Sequence, residues 1–285
     1  MRHLEQTDRL ASFPVARLKG CGVQPSRLML RCRQLWHQAN LRAQRWLQAT
    51  TTYRPLFVVA TQRSGSNLLI DYLNRLSGVE SLAEILCRTL PEGLPRWQAT
   101  TRSALAHIRI SLDTLKAPVR GCKLMLNQLD ECKLDLKQLD EAFPEARYII
   151  LYRESLAEQF LSLESAKATN QWKLTADQDR KFVHIRVNPR KLQDFCETTM
   201  EMYRRVLDNE WLRERGLLLS YEQLVSNPQN CVNEMICPLL GVDASPLSTS
   251  LCKQNTLSPA ERVVNYEQVA YLFDSAACRQ WLAWD

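Results

Sequence analysis

The sequence predicts an α/β fold, a parallel sheet flanked by helices on both faces with a helical extension at its N-terminus, and three observations predict it. Short apolar, β-branched runs alternate along the chain with longer stretches of helical periodicity, which implies parallel strands covered on both faces. The first such run, Leu56-Phe57-Val58-Val59-Ala60, passes through a short loop of small polar residues around one glycine directly into an apolar-periodic stretch from Leu68 to Leu76. At 285 residues and 45% hydrophobic, the chain can bury one substantial α/β core but not two domains of typical size.

Charge divides the chain in two. Residues 1–54 hold ten Lys and Arg against two Asp and Glu, whereas residues 55–285 hold 27 against 29, so the whole-chain charge of +6 belongs to the extension. Within it, Leu28, Cys32, Leu35, Ala39, Ala43 and Trp46 share a helical face bordered by Trp36 and Leu47, and Arg27, Arg31, Arg42 and Arg45 form a flanking stripe. Such a helix either packs on its own domain or makes a peripheral contact with an anionic membrane or a protein. No nucleic acid partner is expected. Residues 55–285 form the second unit. Its strands are expected at 56–60, 119–126, 146–152 and 216–220, and its helices at 68–76, 134–143, 155–169, 192–207 and 230–240. Pro144 and Asn227-Pro228 mark breaks, and residues 243–259 read as a closing loop.

The chemistry is concentrated in Gln62-Arg63-Ser64-Gly65-Ser66-Asn67. A buried strand, a small polar loop and a helix that starts inside it aim backbone N–H groups and the helix dipole at one point, which makes a P-loop-like anion cradle. Arg63 adds a fixed charge, and Ser64 and Ser66 add hydroxyl donors. The loop lacks the Gly-Lys-Ser/Thr ending that holds a magnesium triphosphate, so a nucleotide with a single 5′-phosphate fits it better. A structural turn with an incidental arginine is the other reading. Arg153, at the end of the 146–152 strand, falls on the same carboxyl rim, with Ser162 about two turns into the following helix. Two anion sites on one rim suit a nucleotide with two separate phosphates.

With these motifs in order, the chain resembles the 3′-phosphoadenosine 5′-phosphosulfate (PAPS)-dependent sulfotransferases, and within them the bacterial carbohydrate enzymes of the trehalose 2-sulfotransferase type. Further segments carry the likeness: Gly121-Cys122-Lys123-Leu124-Met125, Tyr221-Glu222-Gln223-Leu224 to Asn227-Pro228, and Lys253-Gln254-Asn255 to Asn265-Tyr266. Together they span about Arg54 to Tyr271. Asn67 stands where Thr or Ser is common, and Ala83 where Gly is common. The resemblance implies that residues 62–69 hold the 5′-phosphosulfate. It assigns Arg153, Ser162 and Lys253 to the 3′-phosphate, and Lys123 to the transferred sulfuryl group. A solvent-facing rim lysine is the alternative for Lys123, and a surface lysine for Lys253.

The proton acceptor is the sharper inference. Phenol and steroid sulfotransferases use a His two residues after the lysine matching Lys123, and here that position is Met125. None of His3, His37, His107 and His184 is expected at a strand end beside the loop. The carbohydrate enzymes use a Glu shortly after the first helix. Glu84 fits that place, with Glu80 as rival. The expected enzyme therefore uses PAPS without a metal, acts on a hydroxyl of a carbohydrate, glycolipid or similar small molecule, and releases the 3′,5′-bisphosphate PAP. The segment 84–118 and the helix through Trp172 are expected to shape the acceptor pocket. A nucleotide or small-molecule kinase and a non-catalytic nucleotide-binding module stay open. Ten cysteines scattered from Cys21 to Cys278 without a C-x-x-C pair read as reduced thiols. With a charged N-terminus and no eighteen-residue apolar stretch, they point to a cytoplasmic protein.

Overall fold

The computed structural model describes residues 52–86, 101–254 and 256–274. The basic helical stripe of the extension, and residues 87–100 of the expected acceptor segment, lie outside the described residues. Among the described residues five strands form one sheet: β1 (Arg54–Ala60), β2 (Val79–Glu84), β3 (Val119–Met125), β4 (Arg147–Tyr152) and β5 (Gly216–Ser220). They run parallel throughout, in the order β2-β3-β1-β4-β5. Helices connect them, α1 (Ser66–Leu73), α2 (Thr101–Asp113), α3 (Leu126–Glu131), α4 (Leu136–Ala142), α5 (Leu156–Thr169), α6 (Pro189–Leu207) and α7 (Leu212–Arg215), and α8 (Tyr221–Ser226) follows β5.

Strand alternation explains why the two faces take different helices. Leu56, Val58 and Ala60 of β1 share a core with Met125, Ile149, Leu151 and Leu219, with Leu69 and Leu73 of α1, and with Val232, Ile236 and Leu240. Phe57 and Val59, with Cys122, Leu124, Tyr148 and Ile150, face a second core built with Ile108 and Leu112 of α2, Leu129 of α3, Leu139 of α4 and Tyr203 of α6. Both faces of the central strand are thus dry. The carboxyl ends of all five strands open on one rim, and β1 and β4 lie side by side in its middle.

The structure departs from the sequence reading in four places. Strand β2 was not expected, because Val-Glu-Ser-Leu-Ala-Glu is polar and sits at the sheet edge, where only one neighbour shields it. The helix expected at 134–143 is α4, Leu136–Ala142, and a further short helix not expected from the sequence, α3, precedes it directly after β3. Lys133 takes a left-handed φ of 54° at the end of α3, and Asp135 then starts α4 with a capping box in which its carboxylate accepts the Gln138 N–H at 2.7 Å. The helix expected at 230–240 begins at Pro228 and carries a π-helical stretch, Cys231–Ile236, just before Pro238. Pro238 has no N–H to give and crowds the carbonyl four residues back. Finally, α5 does not reach Trp172: it stops at Thr169, with Asn170 left-handed at φ 51°.

Candidate active site

The loop at residues 62–67 is held from behind rather than by its own residues. Arg63 and Gly65 both adopt positive φ, 64° and 92°, and α1 begins at Ser66 with Gly65 as N-cap and no side-chain cap. The first-turn donors are therefore not taken up by a capping side chain. Tyr203 of α6 is fully buried; its hydroxyl accepts the Thr61 N–H at 3.0 Å and donates to the Leu151 carbonyl at 2.6 Å, tying the end of β1 to the end of β4. Burial pushes this phenol up to about 12, so it remains a donor. Gln159 of α5 donates to Thr61 Oγ1 at 2.8 Å and to the Gln62 carbonyl at 2.6 Å. At Gly65 a Cβ would lie 2.3 Å from Tyr221 Cδ2, so only glycine lets that ring rest on the loop. The Ser64 hydroxyl is wholly buried and finds no hydrogen-bond partner among the described residues.

At the β2–β3 end of the rim, four side chains meet. Lys123, 3% exposed, donates from Nζ to Asn67 Oδ1 at 2.8 Å and pairs with Glu84 Oε1 at 3.0 Å. Gln128 of α3 donates from Nε2 to Glu84 Oε2 at 2.9 Å. A β-bulge makes this possible. The register between β2 and β3 shifts between Leu82 and Glu84, so Glu84 pairs with Lys123, while Ala83 is extruded and exposed. Without the extra residue Ala83 would stand opposite Lys123, and Glu84 would turn to the other face of the sheet. Burial pulls Lys123 below the ordinary lysine value, and the Glu84 charge partly restores it. Glu80 does different work. Its Oε2 accepts the Lys116 and Ala117 N–H groups at 2.6 and 3.1 Å, which holds its carboxyl below the usual range and clasps the approach to β3.

At the β1–β4 end, arginines dominate. Arg63 donates from Nε to Ser162 Oγ at 3.0 Å, from Nη1 to the Trp172 carbonyl at 2.6 Å, and from Nη2 to Gln254 Oε1. Burial first, and then the charge of Arg153, draw the Arg63 guanidinium down to about 10, so it stays charged at neutral pH. Arg153 lies 3.6 Å from Glu222 Oε1 and 4.0 Å from Glu158 Oε2, with its guanidinium carbon 4.7 Å from the centre of the Tyr221 ring. Glu158 also receives Arg262, which is buried.

The residues singled out in the sequence therefore fall into two groups. Asn67, Glu84 and Lys123 are in direct contact. Ser162, paired in the sequence reading with Arg153, instead bonds Arg63. Lys253 is exposed, and its neighbour Gln254 is the residue that reaches the loop, while also donating to the Gln171 carbonyl at 2.8 Å. Trp172 contributes its carbonyl, and the residue is exposed. His107, not expected near a strand end, hydrogen-bonds from α2 to the backbone of Ile85, next to Glu84, and burial lowers its pKa. His184 is exposed, with Nδ1 3.1 Å from the Glu261 carbonyl. Gln128, Gln159, Tyr203 and Gln254 were not identified as site residues from the sequence.

No family model matches the chain, and no curated protein matches it. Solved structures similar to it include the following three. A sulfotransferase from Alicyclobacillus acidocaldarius is 14% identical over 79% of this chain and 92% of that chain, with a TM-score of 0.48. The sulfotransferase domain of the Synechococcus PCC 7002 olefin synthase is 17% identical over 82% and 90%, with a TM-score of 0.40. Sulfotransferase STF1 from Mycobacterium tuberculosis H37Rv is 15% identical over 76% and 74%, with a TM-score of 0.45.

Proposed function

We propose that this chain is a PAPS-dependent sulfotransferase that transfers a sulfuryl group to a hydroxyl of a carbohydrate, glycolipid or similar small acceptor, and releases PAP. The observation that carries this reading is the contact of Lys123 with both Asn67, at the start of the loop helix, and Glu84, across the bulged strand pair. It sets a buried cation and a carboxylate beside an anion loop that already contains Arg63. The buried Ser64 hydroxyl, without a hydrogen-bond partner among the described residues, fits a donor with phosphate oxygens.

In this reading the acceptor O–H gives its proton to Glu84 as the acceptor oxygen bonds to sulfur. The bond from sulfur to the bridging oxygen breaks, and its electron pair leaves on the 5′-phosphate of PAP. Arg63 and the loop N–H groups neutralise the charge that grows on that phosphate. Lys123 attends the sulfuryl oxygens. As Glu84 takes up the proton its pull on Lys123 weakens, which frees the lysine charge for the transferring group at the moment it is needed. Arg153 and Ser162 serve the 3′-phosphate, and Lys253 closes over it from the surface. Six free cysteines among the described residues, five of them buried, fit a cytoplasmic setting. The test is incubation with sulfur-labelled PAPS and a panel of glycans and glycolipids. Labelled product with equimolar PAP is expected, and hydrolysis or exchange of ATP with magnesium in its place would refute the assignment.

A further inference from the structure

We propose that Gln128 is the positioning residue for Glu84, holding its carboxylate plane so that one oxygen faces the acceptor hydroxyl. This rests on the function proposed above. Glu84 lies partly open at the strand end, with 31% of its side chain exposed, and a carboxylate held by Lys123 alone could turn about its last bond. The structure gives it two donors on two different oxygens: Lys123 on Oε1 at 3.0 Å and Gln128 on Oε2 at 2.9 Å. Together with the Cγ–Cδ bond, the two held oxygens fix the plane. Both donors come from one rigid corner, because α3 starts at Leu126 directly after β3 ends at Met125, with no loop between them.

The surroundings of Gln128 favour a directed role over packing. Its side chain is 6% exposed, and its Oε1 has no hydrogen-bond partner among the described residues. A glutamine kept only to fill space leaves a buried carbonyl unsatisfied for no return, whereas methionine or leucine fills the same space without that penalty. The amide orientation follows from the carboxylate: turned over, Oε1 would face Glu84 Oε2, acceptor against acceptor. As a neutral donor, Gln128 fixes the carboxylate without adding a second charge to compete with Lys123 for the transferring group.

The titratable and charged groups around Glu84 are Lys123 from β3 and, from α2, His107 through the Ile85 backbone; Arg63 and Lys173 act on Lys123 in turn. The test separates Glu84 from all of these. In the full chain with 13C-labelled glutamate, the Glu84 carboxyl resonance is assigned by its loss in Glu84→Gln. Gln128→Met removes the donor and keeps the shape, so this resonance should shift and broaden, and kcat should fall by about 10-fold, the loss of one hydrogen bond. Gln128→Glu puts two carboxyls together and should lower kcat further, and PAP affinity should stay at the wild-type value in both. An unmoved resonance and a wild-type kcat in both variants overturn the role of Gln128 alone. Absence of transfer in the wild type removes the proposed function and this role with it.

Discussion

The two ends of the strand rim use charge in opposite ways. At the β2–β3 end a buried lysine meets a carboxylate at 3.0 Å, and neutral amides from Asn67 and Gln128 complete the group. At the β1–β4 end Arg63 is held by neutral oxygens from Ser162, Trp172 and Gln254, and the nearby Arg153 works against its charge. The first group is balanced and assembled in advance, which suits a proton transfer that must not attract stray ions. The second concentrates positive charge in a partly dry place, and that favours an anion. In the proposed reaction, one strand rim thus separates two demands, taking a proton and stabilising a leaving phosphate.

The comparison breaks most visibly at Glu84. Glu84→Gln keeps the shape and the Gln128 contact region but removes the proposed base, so kcat should fall by about 10²–10⁴ while PAP affinity holds. Glu80→Gln, whose side chain hydrogen-bonds the Lys116 and Ala117 amides away from Lys123, should leave kcat near wild type. Steady-state kinetics on the pair decides it, and a reversed result would move the base to Glu80.

At the anion end, Gly65→Ala puts a Cβ at φ 92° and 2.3 Å from the Tyr221 ring. Backbone strain of this kind costs about 1–3 kcal/mol, so the melting temperature should fall by several degrees. Nucleotide affinity should fall as well, because Tyr221 cannot yield without disturbing Arg153. Calorimetric scans with and without PAP would show both losses, and unchanged scans would mean that the ring does not brace the loop.

The smallest expected effect is on pH dependence. Because burial lowers Lys123, its charge is lost at a lower pH than the ordinary 10.5, and the alkaline limb of kcat should lie below that value. In Lys123→Arg the cation persists and the limb should disappear. An alkaline limb at or above the ordinary lysine value would place Lys123 outside the reaction.

What the sequence revealed follows from how locally each feature is encoded. The β1-loop-α1 unit and the strand ending at Arg153 announce themselves through contiguous β-branched runs with polar ends. Strand β2 could not be read that way, because two of its six residues are glutamates and its edge position asks for little apolar surface. Glu84 and Lys123 were both legible as candidates, but their contact depends on a bulge at Ala83 that alternation alone does not reveal. The supporting amides were hidden for another reason. Gln128 reaches Glu84 across 44 residues, Gln159 reaches Thr61 across 98, and Gln254 reaches Arg63 across 191. An isolated glutamine carries no period and no motif, so only the folded chain shows which backbone or charge it serves.

The central claim, a site for a nucleotide with two separate phosphates, is tested most directly by titration calorimetry with PAP and with 5′-AMP on the wild-type chain and on Arg153→Ala. A charged hydrogen bond to phosphate contributes about 1.5–3 kcal/mol, so PAP should bind the wild type roughly 10–100-fold more tightly than 5′-AMP, and Arg153→Ala should erase most of that margin. Equal affinities in the wild type, or a wild-type margin retained in Arg153→Ala, would contradict the account.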